Sequence, residues 1–215
     1  MNIAMLGPQG CGKGTQAELL VNEFGMVRVE TGKILREIAA TSDPRALDIK
    51  TIMQEGRLVP DEILLEVIKR ELVQRNGNGF VLDGTPRDVP QYKLIKELLI
   101  SLEQKLDYVV FLDISEEESI VRISNRRTCE KCNRIYNLLT DSPPYPDTCE
   151  CGGRLAQRED DTPAAISKRL EAYRTLTLPV LKKAEEDEIL VKIDGSQKID
   201  TIHDEIVKKL DLRHG

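Results

Sequence analysis

The nonapeptide "GPQGCGKGT", Gly7–Thr15, follows the short apolar run "NIAML", Asn2–Leu6, and leads into "TQAELLVNEF", Thr15–Phe24. An apolar run, a glycine-rich loop and an amphipathic segment in that order predict a strand, a phosphate-binding turn and a helix. Gly7, Gly10, Gly12 and Gly14 leave backbone N–H groups able to converge on an anion. The helix N-terminus adds partial positive charge, and Lys13 would reach terminal phosphates. The common form of this loop carries Ser or Thr directly after the Lys, where the hydroxyl ligates magnesium. Here Gly14 stands in that place and Thr15 follows. Mg²⁺ can bind mainly through phosphate oxygens and keep several waters. Asp83, at the carboxyl end of "FVLD", is then expected to hold one of those waters, and Thr15 to bond a phosphate oxygen or cap its own helix. Cys11 reads as a small residue fitting the turn; a reactive thiol beside a Lys and a helix terminus is the alternative.

Outward from the loop, apolar runs alternate with helical patterns. Of the 215 residues, 40% are hydrophobic but only 4% aromatic. A core of aliphatic side chains in short runs is the mark of a parallel sheet buried on both faces. Strands are expected at Ile3–Leu6, Val27–Glu30, "GFVLDG", "YVVFLDI" and "ILVKI". Helices are expected over "TGKILREIAA", "ALDIKTIMQEG", "PDEILLEVIKRELVQRN", "VPQYKLIKELLISLEQK", "SEEESIVRISNRR", "DTPAAISKRLEAY" and "DTIHDEIVKKLDL". Pro60 marks one helix start, Ser115 with its acidic first turn another, and Thr162 or Asp161 ahead of Pro163 a third. Five strands interleaved with helices predict an α/β fold: a five-stranded parallel sheet with helices on both faces, of the P-loop nucleoside triphosphate hydrolase type.

The composition breaks at Thr128–Arg158, which carries four of the five Cys. Cys129 and Cys132 form a Cys-x2-Cys pair; sixteen residues later Cys149 and Cys151 form Cys-x-Cys. Two such pairs joined by a hairpin-sized stretch read as a tetrahedral structural zinc site, with an empty thiol cluster or a disulfide pair as the competing readings. A segment of that size has too little core to fold alone, so a metal would supply stability away from any reaction. The formal charge of −6 argues against a nucleic-acid partner, and no run approaches the length of a membrane span. The N-terminus is strand-like and carries no basic region, so no signal peptide is expected and the cytoplasm, with reduced thiols, is the expected compartment.

Read together, "GPQGCGKGTQA", "TGKILR", "GRLVPDEI", "GFVLDGTPRDVPQ", "NRRTCEKC" and "QREDD" followed by "KRLEAY" resemble adenylate kinase, in its long-lid form within the nucleoside monophosphate kinases. The resemblance spans almost the whole chain, in order and with matching spacing. It implies reversible, Mg²⁺-dependent transfer, ATP + AMP ⇌ 2 ADP. It also implies a core of residues 1–29, 60–127 and 159–215, an acceptor-binding insertion at 30–59 and a zinc-binding lid at 128–158. ATP or ADP would lie on Gly10, Cys11, Gly12, Lys13, Gly14 and Thr15, with Gln197 of "DGSQ" offering backbone contacts to the base.

Phosphoryl transfer between nucleotides needs positioning and positive charge rather than a general base. Arginines serve it well, because their forks bind phosphate bidentately at any working pH. By resemblance, Arg36 and Arg87 hold the monophosphate, Arg122 and Arg126 meet the triphosphate side, and Arg158 and Arg169 bridge the two. Any one of them taken singly reads as a solvated surface charge. Arg127 is left as a structural or lid charge. Asp160 and Asp161 would either orient these arginines or cap a helix. Thr31, Gly32, Arg57, Val59 and Gly84 complete the acceptor site, and the Gln91 amide, one donor and one acceptor, matches adenine; an exposed helical Gln is its alternative. His203 and His214 are assigned surface roles. Three features depart from the family pattern: Thr85 stands where Phe is usual, Lys33 where Asp is usual, and the last Cys pair is one residue short, so that Asp147 could substitute for Cys149.

Two other readings stay open. One is the same chemistry with a broad or non-AMP acceptor. The other is a zinc-ribbon binding module that uses ATP as a switch. A monomer is the default, with a homo-oligomer not excluded.

Overall fold

Strand positions in this chain are apolar almost without interruption, and such strands must be covered on both faces. The computed structural model describes residues 1–55, 57–74, 79–158 and 161–212. Its main sheet contains β1 (Asn2–Leu6), β2 (Val27–Glu30), β3 (Phe80–Asp83), β4 (Tyr108–Asp113) and β8 (Leu190–Asp194), in the order β2-β3-β1-β4-β8. All four pairings are parallel, with Ile3 opposite Val81 and Tyr108. These are the five strands expected from the sequence.

Alternation divides the inner strands between two cores. Ala4, Leu6, Val29, Leu82 and Phe111 pack beneath α4 (Asp61–Gln74), α5 (Val89–Ser101) and α8 (Leu178–Glu186). Ile3, Met5, Val81, Val110 and Leu112 pack beneath α1 (Lys13–Phe24) and α9 (Ile199–Lys209). From β1 the chain leaves through α1 toward β2; from β4 it continues to β8 on the opposite side. That divergence opens a crevice over the carboxyl ends of β1 and β4, where open α/β sheets bind ligands. The phosphate loop sits in it.

α2 (Thr31–Ala39) and α3 (Ala46–Gln54) form the expected pair between β2 and α4. The Cys-bearing stretch makes a second, antiparallel sheet of β5 (Arg126–Cys129), β6 (Ile135–Asn137) and β7 (Leu155–Ala156), in the order β6-β5-β7.

Three expectations need correction. The helix expected to run through Arg127 stops as α6 (Glu116–Ser124). Arg126 and Arg127 instead pair with Asn137 and Tyr136 on β6, and Asn125 accepts a backbone bond from Leu138, so cross-strand pairing overrides helix propensity. The helix expected to end at Tyr173 does not stop there after α7 (Pro163–Ala172). A π-helical turn, Tyr173–Thr177, leads into α8, and Pro179 falls in its first turn, where a missing N–H costs nothing. Finally, His203 is buried rather than on the surface: its Nε2 lies 2.7 Å from Glu23 and ties α9 to α1. His214 lies outside the described residues, as do Asp160 and the far ends of the helices expected at 46–56 and 60–76.

Candidate active site

The loop begins where β1 ends, and its glycines are demanded by space and by handedness. A Cβ on Gly7 would stand 2.4 Å from the Leu112 carbonyl oxygen. Gly12 takes a left-handed conformation (φ 97°) and opens α1 without any side-chain cap. The helix therefore starts at Lys13, and Thr15 is an exposed third residue rather than a cap. Lys13 folds back across the loop: its Nζ donates to the carbonyls of Gly7 (2.9 Å) and Pro8 (2.8 Å) and lies 3.4 Å from Cys11 Sγ. Cys11 is wholly buried against Gly7, which favours the packing role over a reactive thiol.

The arginines are built around the loop. Arg122, on α6, has its Cβ 3.2 Å from the Cβ position of Gly10, and it donates to the Gly195 carbonyl (3.0 Å) and to Glu118 (2.5 Å). Ser119, one turn earlier, donates to the Gln9 carbonyl at 2.6 Å, and Gln9 Nε2 reaches the Arg169 carbonyl at 3.4 Å. Asp161 is the hub. Its fully buried carboxylate accepts from Arg126 Nε (2.9 Å), Arg126 Nη2 (2.5 Å) and Arg169 Nη1 (3.3 Å). Thr162, not Asp161, caps α7, accepting from Ala165 N–H. One carboxylate shared by two guanidiniums orients both and leaves a net positive charge beside the loop. Arg158 donates through Nε to the Thr128 hydroxyl at 3.1 Å. Arg127 bonds the backbone carbonyls of Ser124 and Arg126.

On the acceptor side, Thr31 is buried at the start of α2, and the Arg36 guanidinium lies 3.5 Å from the Cβ position of Gly32 and 3.7 Å from Glu30. Arg57 pairs with Glu55 at 2.6 Å and lines a cleft of about 700 Å³ with Leu58, Lys168, Glu171 and Thr175. The Val59 side chain belongs to the hydrophobic core, not to that cleft. Gly84 turns the chain at φ 75°, and its carbonyl accepts from Arg87 Nε at 3.1 Å. Gln91 is only 2% exposed, which removes the exposed-helix alternative. Its Oε1 accepts from the Arg87 N–H at 2.9 Å, while the Thr177 hydroxyl, in the π-helical turn, donates to the Arg87 carbonyl at 2.8 Å. The Arg87 backbone is thus held at both its N–H and its C=O. Thr85 is buried at 1% exposure, so its side chain faces the interior, and Lys33 is exposed 3.9 Å from Glu37 on its own helix. Gln197 turns its amide to the Asp194 carbonyl and to Glu205.

Asp83 carries a partner that the sequence did not disclose. Arg28 Nη2 lies 2.6 Å from Asp83 and 3.1 Å from Glu30. The alternation Val27-Arg28-Val29-Glu30, two charges in a strand of a buried sheet, is the available signal.

In the small sheet the four Cys thiols fall within 4.8 Å of one another, with Cys129 and Cys151 at 3.5 Å and Cys132 and Cys149 at 3.6 Å. No disulfide joins these four. Zinc–sulfur bonds of about 2.3 Å in a tetrahedron set sulfurs about 3.8 Å apart, so the set fits that ion. Cys149 completes the set and Asp147 does not enter it. The Tyr136 hydroxyl, 3.3 Å from Cys149, leads the hydrogen bonds that pull that thiol down to about 6, toward the thiolate a metal needs.

A sequence-family profile described as adenylate kinase matches residues 5–189. An adenylate kinase of Thermosipho africanus is 38% identical over 209 residues, covering 96% of this chain and 98% of the relative. One from Methanothrix thermoacetophila is 40% identical over 212 residues, 98% of each. One from Methanocella arvoryzae is 41% identical over 204 residues, 94% of each. With its phosphate loop, the arginines held beside it and this likeness along nearly its full length, the chain belongs to the adenylate kinase family, phosphotransferases of the nucleoside monophosphate kinase type.

Proposed function

We propose that the chain transfers the terminal phosphoryl group of ATP to AMP and runs the reverse reaction, ATP + AMP ⇌ 2 ADP. The observation that carries this reading is the joining of the loop to the arginine cluster: Gln9 reaches the Arg169 backbone, and Gly10 abuts Arg122. Cations from α1, α6, β5 and α7 would then face the transferred group together. The attacking phosphate is already ionised, so no proton needs to be taken from it. The catalytic demand is to hold two anionic tails in line and neutralise the charge that spreads over the moving group.

Lys13 and the loop N–H groups would cradle the donor phosphates, with Arg122 and Arg126 beside them. Arg36 and Arg87 would grip the acceptor phosphate, and Arg158 and Arg169 would span the transferred group. Thr31, Gly32, Arg57, Gly84 and Gln91 would form the acceptor wall. Mg²⁺ held by the nucleotide phosphates supplies charge neutralisation, and Asp83 would hold one of its waters. Residues 128–158 would close as a lid and keep water from taking the phosphoryl group, with residues 30–59 closing on the acceptor side. The four thiols would hold structural zinc, remote from the chemistry. We place this chemistry in the cytoplasm, in a monomer with ATP, ADP and AMP as its partners.

A coupled ADP assay with AMP, CMP, UMP and GMP tests the acceptor. AMP should give the highest kcat/KM; another monophosphate matching it would replace this reading with the broad-acceptor one. Lys33 and Thr85 are the residues that favour the broader acceptor range.

A further inference from the structure

Four charged side chains run in a row from the acceptor side to Asp83. Arg36 lies 3.7 Å from Glu30 Oε1; Glu30 Oε2 lies 3.1 Å from Arg28 Nη2; the same Nη2 lies 2.6 Å from Asp83 Oδ2. The Arg28 guanidinium also occupies space that the loop usually fills. A Cβ on Gly14 would stand 2.9 Å from Arg28 Nη2 and 3.4 Å from Asp83 Oδ2. The side chain is three-quarters enclosed, and its Nε is buried without a hydrogen-bond partner. A cation thus sits beneath the first turn of α1, against the carboxylate assigned to a magnesium-bound water. Two cations competing for one carboxylate oppose each other, and a partly enclosed site screens that repulsion weakly.

We infer that Arg28 is a positioning residue that sets this chain's affinity for the nucleotide's divalent cation, holding Asp83 until Glu30 takes the guanidinium over. The hand-over is short, because Nη2 already lies beside both carboxylates. Glu30 also faces Arg36. A monophosphate that draws Arg36 away leaves Glu30 with Arg28 alone, strengthens that pair and releases Asp83. Acceptor and metal should therefore bind cooperatively, and by linkage the effect is mutual. The inference rests on the proposed role of Asp83.

The test is a Mn²⁺ titration, followed by electron paramagnetic resonance, of protein saturated with the non-transferable nucleotide β,γ-imido-ATP. Arg28→Gln should tighten Mn²⁺ about tenfold and Glu30→Gln should weaken it about tenfold, within the usual span of coupling between sites. Adding AMP should tighten Mn²⁺ in the wild type and leave Glu30→Gln unmoved. A role limited to bracing β2 against β3 would shift both variants the same way, or neither, and either result overturns the inference. Should Arg28→Gln fail to fold, the weaker Mn²⁺ binding of Glu30→Gln and its lost response to AMP carry the decision. Asp83→Asn separates the two levels. If it leaves Mn²⁺ affinity unchanged, the assignment of Asp83 to the metal fails and the inference with it. If it weakens Mn²⁺ while Arg28→Gln does nothing, only the inference fails.

Discussion

The loop over the main sheet and the small Cys-bearing sheet are held in opposite ways. Gly7–Lys13 rests on β1, whose residues Ile3–Leu6 are buried between two cores. Its shape follows from strand, helix and glycine together, and removing one polar contact would leave the backbone where it is. The small sheet has a cluster of just Cys129, Tyr136, Cys149 and Leu155. Two of those residues are among the four proposed metal ligands, so its stability and its metal binding share the same atoms. A site on a large sheet can be altered without unfolding, whereas a site that is itself the core cannot.

That contrast can be broken by substitution. Cys129→Ser should have the largest structural effect. Zinc content should fall from one per chain to none, and amides of β5–β7 should lose exchange protection while those of β1–β4 keep theirs, since small metal-held folds unravel without the ion. Retained metal would remove Cys129 from the ligand set. Lys13→Ala should do the reverse: turnover should fall about 10³-fold, the scale of removing one well-placed donor to transferred charge, with thermal stability unchanged. Asp161→Ala sharpens the comparison, because it lies where the two regions meet. Removing a buried partner of two guanidiniums should cost about 3 kcal/mol in denaturant unfolding, and turnover should drop with it. A stability change near zero would mean that the pair is solvated in solution. The smallest effect is expected at Thr177→Val, which unpins the Arg87 carbonyl. Loss of one hydrogen bond, about 1 kcal/mol, should lower kcat/KM for the monophosphate about fivefold and leave the KM for ATP unaltered.

Much of this was legible because it is local. The five main strands announce themselves as aliphatic runs, and Ser115 and Thr162 cap α6 and α7 as their residue types suggest. The illegible parts depend on partners distant in sequence. Arg126 and Arg127 have helical neighbours before them, yet they pair with Asn137 and Tyr136, eleven and nine positions later on β6. Thr177 carries no signal in the sequence, yet its hydroxyl lies against Arg87, ninety residues earlier. Gln91 reads as a base contact, and the sequence does not disclose that its Oε1 also accepts from the Arg87 backbone. Asp161 offered two roles of equal merit, and only the approach of Arg126 and Arg169 separated them.

The sequence by itself determined the five main strands and most of the helices between them, the phosphate loop and the four clustered thiols. Each of those follows from backbone preference, hydrophobic period or the spacing of a few neighbouring residues. Tertiary structure alone decided which carboxylate serves which guanidinium. Asp161 went to Arg126 and Arg169, and Asp83 with Glu30 went to Arg28, because charge pairing is set by a few ångströms across elements that the linear order keeps far apart.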